Sequence, residues 1–216
     1  MTAQAQTPDA VNWVAALRGF VDARDTPIER CELCHAIVGD RHSHLIEPGN
    51  RRLLCACPAC ALLFSEGQGR RYRRVPTTVT RLVDFQLPDA QWDDLLIPIG
   101  LAFFFRSSAA SRVIAMYPGP AGATESTLDL AAWDALVAAN PVLGQMEDDA
   151  EALLVDRIDG SRDCYLVPID RCFELVGRIR RHWHGISGGQ QAREAIRAFF
   201  SGLRAQAIDA RVPADA

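Results

Sequence analysis

The chain has 216 residues, 49% of them hydrophobic and 23% charged, with a net charge of −4. This is the composition of a soluble globular protein with apolar material for a sizeable core, so the body need not depend on a metal or disulfide staple. The totals exclude a membrane span, since no apolar run approaches the ~20 residues one needs, and a net-acidic chain argues against bulk nucleic-acid binding. The N-terminus, MTAQAQTPDAVNW, lacks a basic stretch followed by an apolar one, so no secretory signal is read there and the expected compartment is the cytoplasm.

In chain order, DAVNWVAALRGFVDAR (9–24) spaces Val11, Val14, Leu17, Phe20 and Val21 for an amphipathic helix that Asp9 could cap. A cysteine-rich region follows at 31–64. RRYRRVPTTVTRLVDF (70–85) has the β-branched content of a strand, IPIGLAFFF contains a second, and SRVIAMYP (111–118) reads as a third. PGPAGATES (118–126) is dense in Gly and Pro and is expected to be a loop. LDLAAWDALVAANP predicts a helix ended by Asn140 and Pro141. ALLVDRID and DCYLVPID predict two strands with DGSR between them, and FELVGRIRRHW predicts a helix. SGGQ (187–190) fits a capping box, Ser187 with Gln190, at the start of a last amphipathic helix.

The chemistry sits in the cysteines. CELC supplies Cys31 and Cys34, and after an interval of 22 residues CACPAC supplies Cys57 and Cys60. Two CxxC pairs at this distance have the spacing of a zinc ribbon: each tight turn aims two sulfurs at one ion, and two turns complete a tetrahedral thiolate shell. In a reducing compartment such pairs read as metal sites rather than disulfides. Iron is the alternative, because CPAC is similar to half of a rubredoxin site and CxCxxC can serve an iron–sulfur cluster. Most of the chain lies outside the cluster, which favours zinc over an electron carrier.

The match has departures. Glycine often follows the second cysteine of a zinc knuckle, and here His35 and Ala61 stand in those places. RRLLCAC predicts a strand with Leu53, Cys55 and Cys57 on one face. Cys55 could then be a ligand in another register, a reactive thiol or a small buried hydrophobe, the last being the plainest reading. His42 and His44 in DRHSHL could replace a cysteine, though surface loop histidines are commoner.

Elsewhere the signals are weaker. Residues 41–81 carry eight arginines against Glu47 and Glu66, a basic segment that offers a docking face for an acidic partner more readily than for nucleic acid. HWH (182–184) reads as histidines complementing a helix C-terminus. Cys164 and Cys172 are expected in the core. PGPAGATES lacks the GK[ST] of a phosphate loop, and neither GxSxG nor HExxH occurs, so the sequence offers no convincing catalytic constellation and leans away from an enzyme without deciding it.

CELC, HSHL, CACPACALLF, YPGPAGATES, YLVPID and HWHGISGG together resemble an uncharacterised family of bacterial proteins associated with gene neighbourhoods of nickel–iron hydrogenases. The resemblance spans about residues 28 to 203. It implies an accessory, assembly or docking role near a hydrogenase, with a hydrogenase subunit or maturation factor as partner, and carries over no catalytic residue. Cys31, Cys34, Cys57 and Cys60 match the family's zinc-ribbon-like pattern, and Cys55 matches its CxC element.

The expected fold is α+β: an N-terminal helix and tail (1–27), a small zinc-ribbon-like module (28–68), a mixed α+β body (69–207) and a flexible tail (208–216).

Overall fold

The computed structural model describes residues 28–65, 71–127, 130–185 and 188–211. The expected helix at 9–24 and the expected cap Ser187 lie outside them. Two sheets organise the described chain. The smaller begins with an antiparallel hairpin of β1 (Ser43–Glu47) and β2 (Arg52–Ala56), in which His44 stands opposite Cys55 and Ile46 opposite Leu53. Helix α1 (Pro58–Ser65) follows, and β3 (Arg73–Arg74) pairs with the free edge of β1. The sheet of the cysteine region therefore reaches past residue 68.

The run 70–85, expected as one strand, divides between the sheets: β3 joins the small one and β4 (Thr80–Val83) the large one. Pro76 has no N–H to give a ladder, and Val75 and Val79 on either side of it are buried in the main core.

The rest of the chain builds the large sheet and its helices. In order come α2 (Asp89–Asp94), β5 (Leu101–Ser107), β6 (Arg112–Gly119), β7 (Gly122–Ser126), α3 (Leu130–Ala139), β8 (Glu151–Asp156), β9 (Asp163–Pro168), α4 (Ile169–His182), α5 (Gly189–Gln206) and β10 (Ile208–Arg211). The spatial order is β10-β4-β9-β8-β5-β6-β7, antiparallel except where β10 runs parallel to β4. PGPAGATES is not the expected loop. Gly119 pairs with Gly122, so only Pro120 and Ala121 turn the chain and the remainder is strand. Gly122 takes φ 124°, a conformation that glycine supplies without steric cost and that closes so tight a hairpin. Ile208–Arg211, expected as tail, is the edge strand β10.

β5 explains the layering. Leu101, Phe103 and Phe105 point into one buried cluster while Ala102 and Phe104 point into another. A strand apolar on both faces needs cover on both. On one side α4 and α5 provide it. Ile169, Cys172, Leu175, Val176 and Ile179 line the inner stripe of α4, and Phe199, Phe200 and Leu203 that of α5. On the other, Trp92, Trp133, Leu136, Leu143 and Met146 pack under the sheet, with Trp133 stacked on Phe104 at 5.6 Å. The fold is α+β, as expected, and Cys164 and Cys172 are core residues. Among the described residues no helix is long and apolar enough to cross a membrane.

The hairpin is seated on this body. Ile46 belongs to the cluster beneath α4 and α5, and Leu53 packs against it. The opposite face of the hairpin holds its own small cluster of Cys31, Val38, Leu45, Ala56, Cys60 and Ala61.

Candidate metal centre

The first cysteine pair is shaped by a closed turn. The Cys31 N–H donates to the Ala36 carbonyl and the His35 N–H to the Cys31 carbonyl, each at 2.8 Å. His35 adopts φ 64°. The position after the second cysteine thus has the left-handed backbone that glycine would supply, and a histidine bears the strain.

The second pair is built differently. Cys57 directly precedes α1: its carbonyl accepts the Ala61 N–H at 2.8 Å, the first helical bond, and its Sγ accepts the Cys60 N–H at 3.5 Å. Pro58 occupies the first helical position, where its missing N–H costs nothing. Ala61 therefore needs no left-handed backbone.

These turns bring the sulfurs of Cys31, Cys34, Cys57 and Cys60 within 4.8 Å of one another. Cys34 Sγ and Cys57 Sγ are 3.7 Å apart, against about 3.8 Å for the edge of a tetrahedron with ~2.3 Å zinc–sulfur bonds. All four thiols are free, Cys31 and Cys60 buried, Cys57 half-buried and Cys34 exposed. At Cys31, burial raises the pKa but backbone N–H groups of Cys57, Cys34 and Leu33 outweigh it, bringing the thiol down to about 6. At Cys60, burial and the neighbouring sulfurs push the thiol up to about 12. The donor set, its spacing and its N–H donors fit a tetrathiolate-bound metal ion.

Cys55 does not join them. The strand ends at Ala56, so Cys57 leaves the ladder and turns into α1, whereas Cys55 stays on the face that carries Leu53 toward the body. The expected common face of Leu53, Cys55 and Cys57 is thus broken at the helix start. His42 and His44 are not loose surface residues either. The His42 side chain is 6% exposed, and His44 Nδ1 lies 2.6 Å from the Asp170 carboxylate in the first turn of α4. That hydrogen bond raises the pKa of His44 against the opposing effect of burial. His42, His44 and Cys55 form a second group of mutually close ligand atoms. The HSHL motif marked these residues in the sequence, but nothing local indicated that Cys55 would face them.

Five arginines of the basic segment pair with carboxylates. Arg51 pairs with Glu125 at 3.2 Å, Arg52 with Glu32 at 2.6 Å, Arg73 with Asp149 at 3.0 Å and Arg81 with Asp163 at 3.3 Å, and Arg71 pairs with Glu47. Apolar residues are exposed as well: Ile37 beside the first turn, and Leu62 and Phe64 on α1. At HWH, His184 Nδ1 bonds to the His182 carbonyl at 2.9 Å and the Trp183 indole N–H donates to the Gly185 carbonyl at 2.9 Å.

A sequence model of a family of unknown function (DUF5947) matches residues 30–207. No curated protein and no solved structure matches the chain.

Proposed function

The chain belongs to that family, and we propose that it is a zinc-thiolate protein that works through protein contacts, with the four cysteines holding a structural ion. The observation that carries this reading is the mutual approach of four sulfurs to within 4.8 Å. Four thiolates fill a tetrahedral shell and leave no position for a substrate, the arrangement of structural rather than catalytic zinc. The cytoplasm, where thiols stay reduced, suits such a site. Ile37, three residues after Cys34, and Leu62 and Phe64, on the helix that Cys57 leads into, are exposed, and exposed apolar side chains suit a protein partner. The resemblance of the sequence motifs points to a nickel–iron hydrogenase subunit or maturation factor as that partner, and to assembly, maturation or operation of the enzyme as the process served.

Two measurements test this. Elemental analysis of protein purified from its native cells should give zinc bound to these cysteines and no visible absorbance. Stoichiometric iron with a visible spectrum that bleaches reversibly on reduction would establish the electron-transfer alternative instead. Affinity capture from the same cells should recover hydrogenase components with the wild type and lose them with Leu62→Glu, while metal content is unchanged. Capture of hydrogenase components equally by both would move the docking face elsewhere, and their absence from both would remove the hydrogenase role.

A further inference from the structure

The group of His42, His44 and Cys55 has a geometry that neither surface histidines nor a spare thiol would need. His44 on β1 is directly opposite Cys55 on β2, and the His42 ring meets that of His44 edge-on at 4.8 Å. The ligand atoms that the three residues offer lie within 4.8 Å of one another. Tetrahedral coordination at ~2.0–2.3 Å sets ligand atoms about 3.3–3.8 Å apart.

The hydrogen bonds around the rings already select the atoms. His44 Nδ1 is held by Asp170 Oδ2 at 2.6 Å, and His42 Nδ1 by the Gly39 carbonyl at 2.8 Å, with Glu29 at 3.4 Å. Both acceptors call for a proton on Nδ1, which leaves each Nε2 with its lone pair free. A ring nitrogen held by a carboxylate or a backbone carbonyl is the usual support of a histidine that ligates through the other nitrogen. His42 Nε2 is buried and without a hydrogen-bond partner, and so is Asp170 Oδ1. A buried polar atom without a partner is costly unless a ligand or ion supplies one.

We propose that His42 Nε2, His44 Nε2 and Cys55 Sγ form a second metal site, distinct from the four cysteines, that takes a borderline transition-metal cation such as Zn²⁺ and keeps one coordination position open. One sulfur and two imidazoles suit such a cation rather than a hard one such as Mg²⁺ or Ca²⁺. Three protein ligands leave room for a water or an exogenous donor. Asp170 is a positioning residue: it fixes the tautomer and orientation of His44, and its free oxygen can accept a hydrogen bond from whatever occupies the fourth position. The site joins the hairpin to the first turn of α4, whereas the four-cysteine cluster lies on the other face of the hairpin.

The test is a titration of metal-free, full-length protein with Co²⁺, whose absorption reports thiolate number and coordination geometry. Wild type should bind two ions per chain, one with tetrathiolate absorption and one with a weaker single-thiolate band. Cys55→Ser and His42→Gln should each remove the second ion and leave the tetrathiolate band in place. Asp170→Asn should weaken the second ion about 10- to 100-fold without abolishing it. Imidazole should perturb the spectrum of the second ion alone. Circular dichroism identical to wild type excludes loss through unfolding, and His42→Gln is the conservative variant for that purpose. Saturation of wild type at one ion, with a spectrum unmoved by Cys55→Ser and His42→Gln, overturns the proposal. A single ion that depends on Cys55 and His42 but not on Cys60 supports it while refuting the tetrathiolate reading.

Discussion

Stripping the metal should melt the cysteine region and spare the body. The small cluster behind the four sulfurs contains, apart from thiols and alanines, only Val38 and Leu45 as buried side chains. Burying two such aliphatics is worth roughly 3–6 kcal/mol, which does not offset the entropy of ordering the two turns. A bound zinc contributes about 10–16 kcal/mol in small zinc modules near neutral pH, so an ion at the four cysteines would outweigh the apolar packing in holding the turns. The amides to follow are those of Cys31, His35 and Val38, bonded to the carbonyls of Ala36, Cys31 and Glu29. Losing even about 5 kcal/mol of protection speeds their hydrogen exchange by roughly 10³–10⁴. Exchange in β5 and β8, buried on both faces, should not change. Hydrogen-exchange mass spectrometry before and after chelation, and on Cys60→Ser, makes the measurement. Unchanged protection of residues 31–38 after verified metal removal would refute the reasoning, since the turns would then be held by something other than the ion.

Three further outcomes follow from the body. Asp149, 2% exposed, accepts the Ser108 N–H at 2.9 Å and its hydroxyl at 2.5 Å and pairs with Arg73 at 3.0 Å; Asp149→Ala should cost about 2–4 kcal/mol in urea unfolding, and a cost under ~1 kcal/mol would mean water replaces these bonds. Phe104→Ala empties a fully buried place against Trp133 and should cost about 3–5 kcal/mol with metal content intact, as denaturation and elemental analysis would show. Burial, with Asp163 and Asp159 nearby, raises the pKa of Asp156. Its charged form therefore lowers stability above the folded-state pKa, and that cost fades as pH falls toward the ordinary value of about 3.9. Asp156→Asn, which can still accept the Ile158 N–H, should raise the thermal midpoint at pH 7 and lose that advantage near pH 3; an equal advantage at both pH values would contradict the sign.

Local pattern reached far into this fold. The CxxC pairs, the doubly apolar LAFFF run and the helical stripes of α4 and α5 each state their role within a few residues, because spacing and periodicity are local quantities. What escaped is set by pairing between distant segments. PGPAGATES has loop composition, yet Gly119 and Gly122 use it to close a hairpin. β10 becomes a strand only because β4 offers it an edge. The carboxylates that pair with arginines of the basic segment, Glu125, Asp149 and Asp163, lie far along the chain from Arg51, Arg73 and Arg81. At the site, the four cysteines were legible by count and distance, but the surroundings of Cys55 depend on its register against His44 and on Asp170, 126 residues beyond His44. No window of sequence contains that information.

The crossing from the small sheet to the large one has mechanical meaning. Val75 and Val79 are 2% and 4% exposed. The Val75 N–H donates to the His44 carbonyl at 3.0 Å, and the Val79 carbonyl accepts the Ile208 N–H at 2.9 Å. Anchored at both ends, this stretch has no slack with which to act as a hinge. On the proposed reading, a metal bound by the four cysteines would tighten their turns in place instead of swinging them against the body.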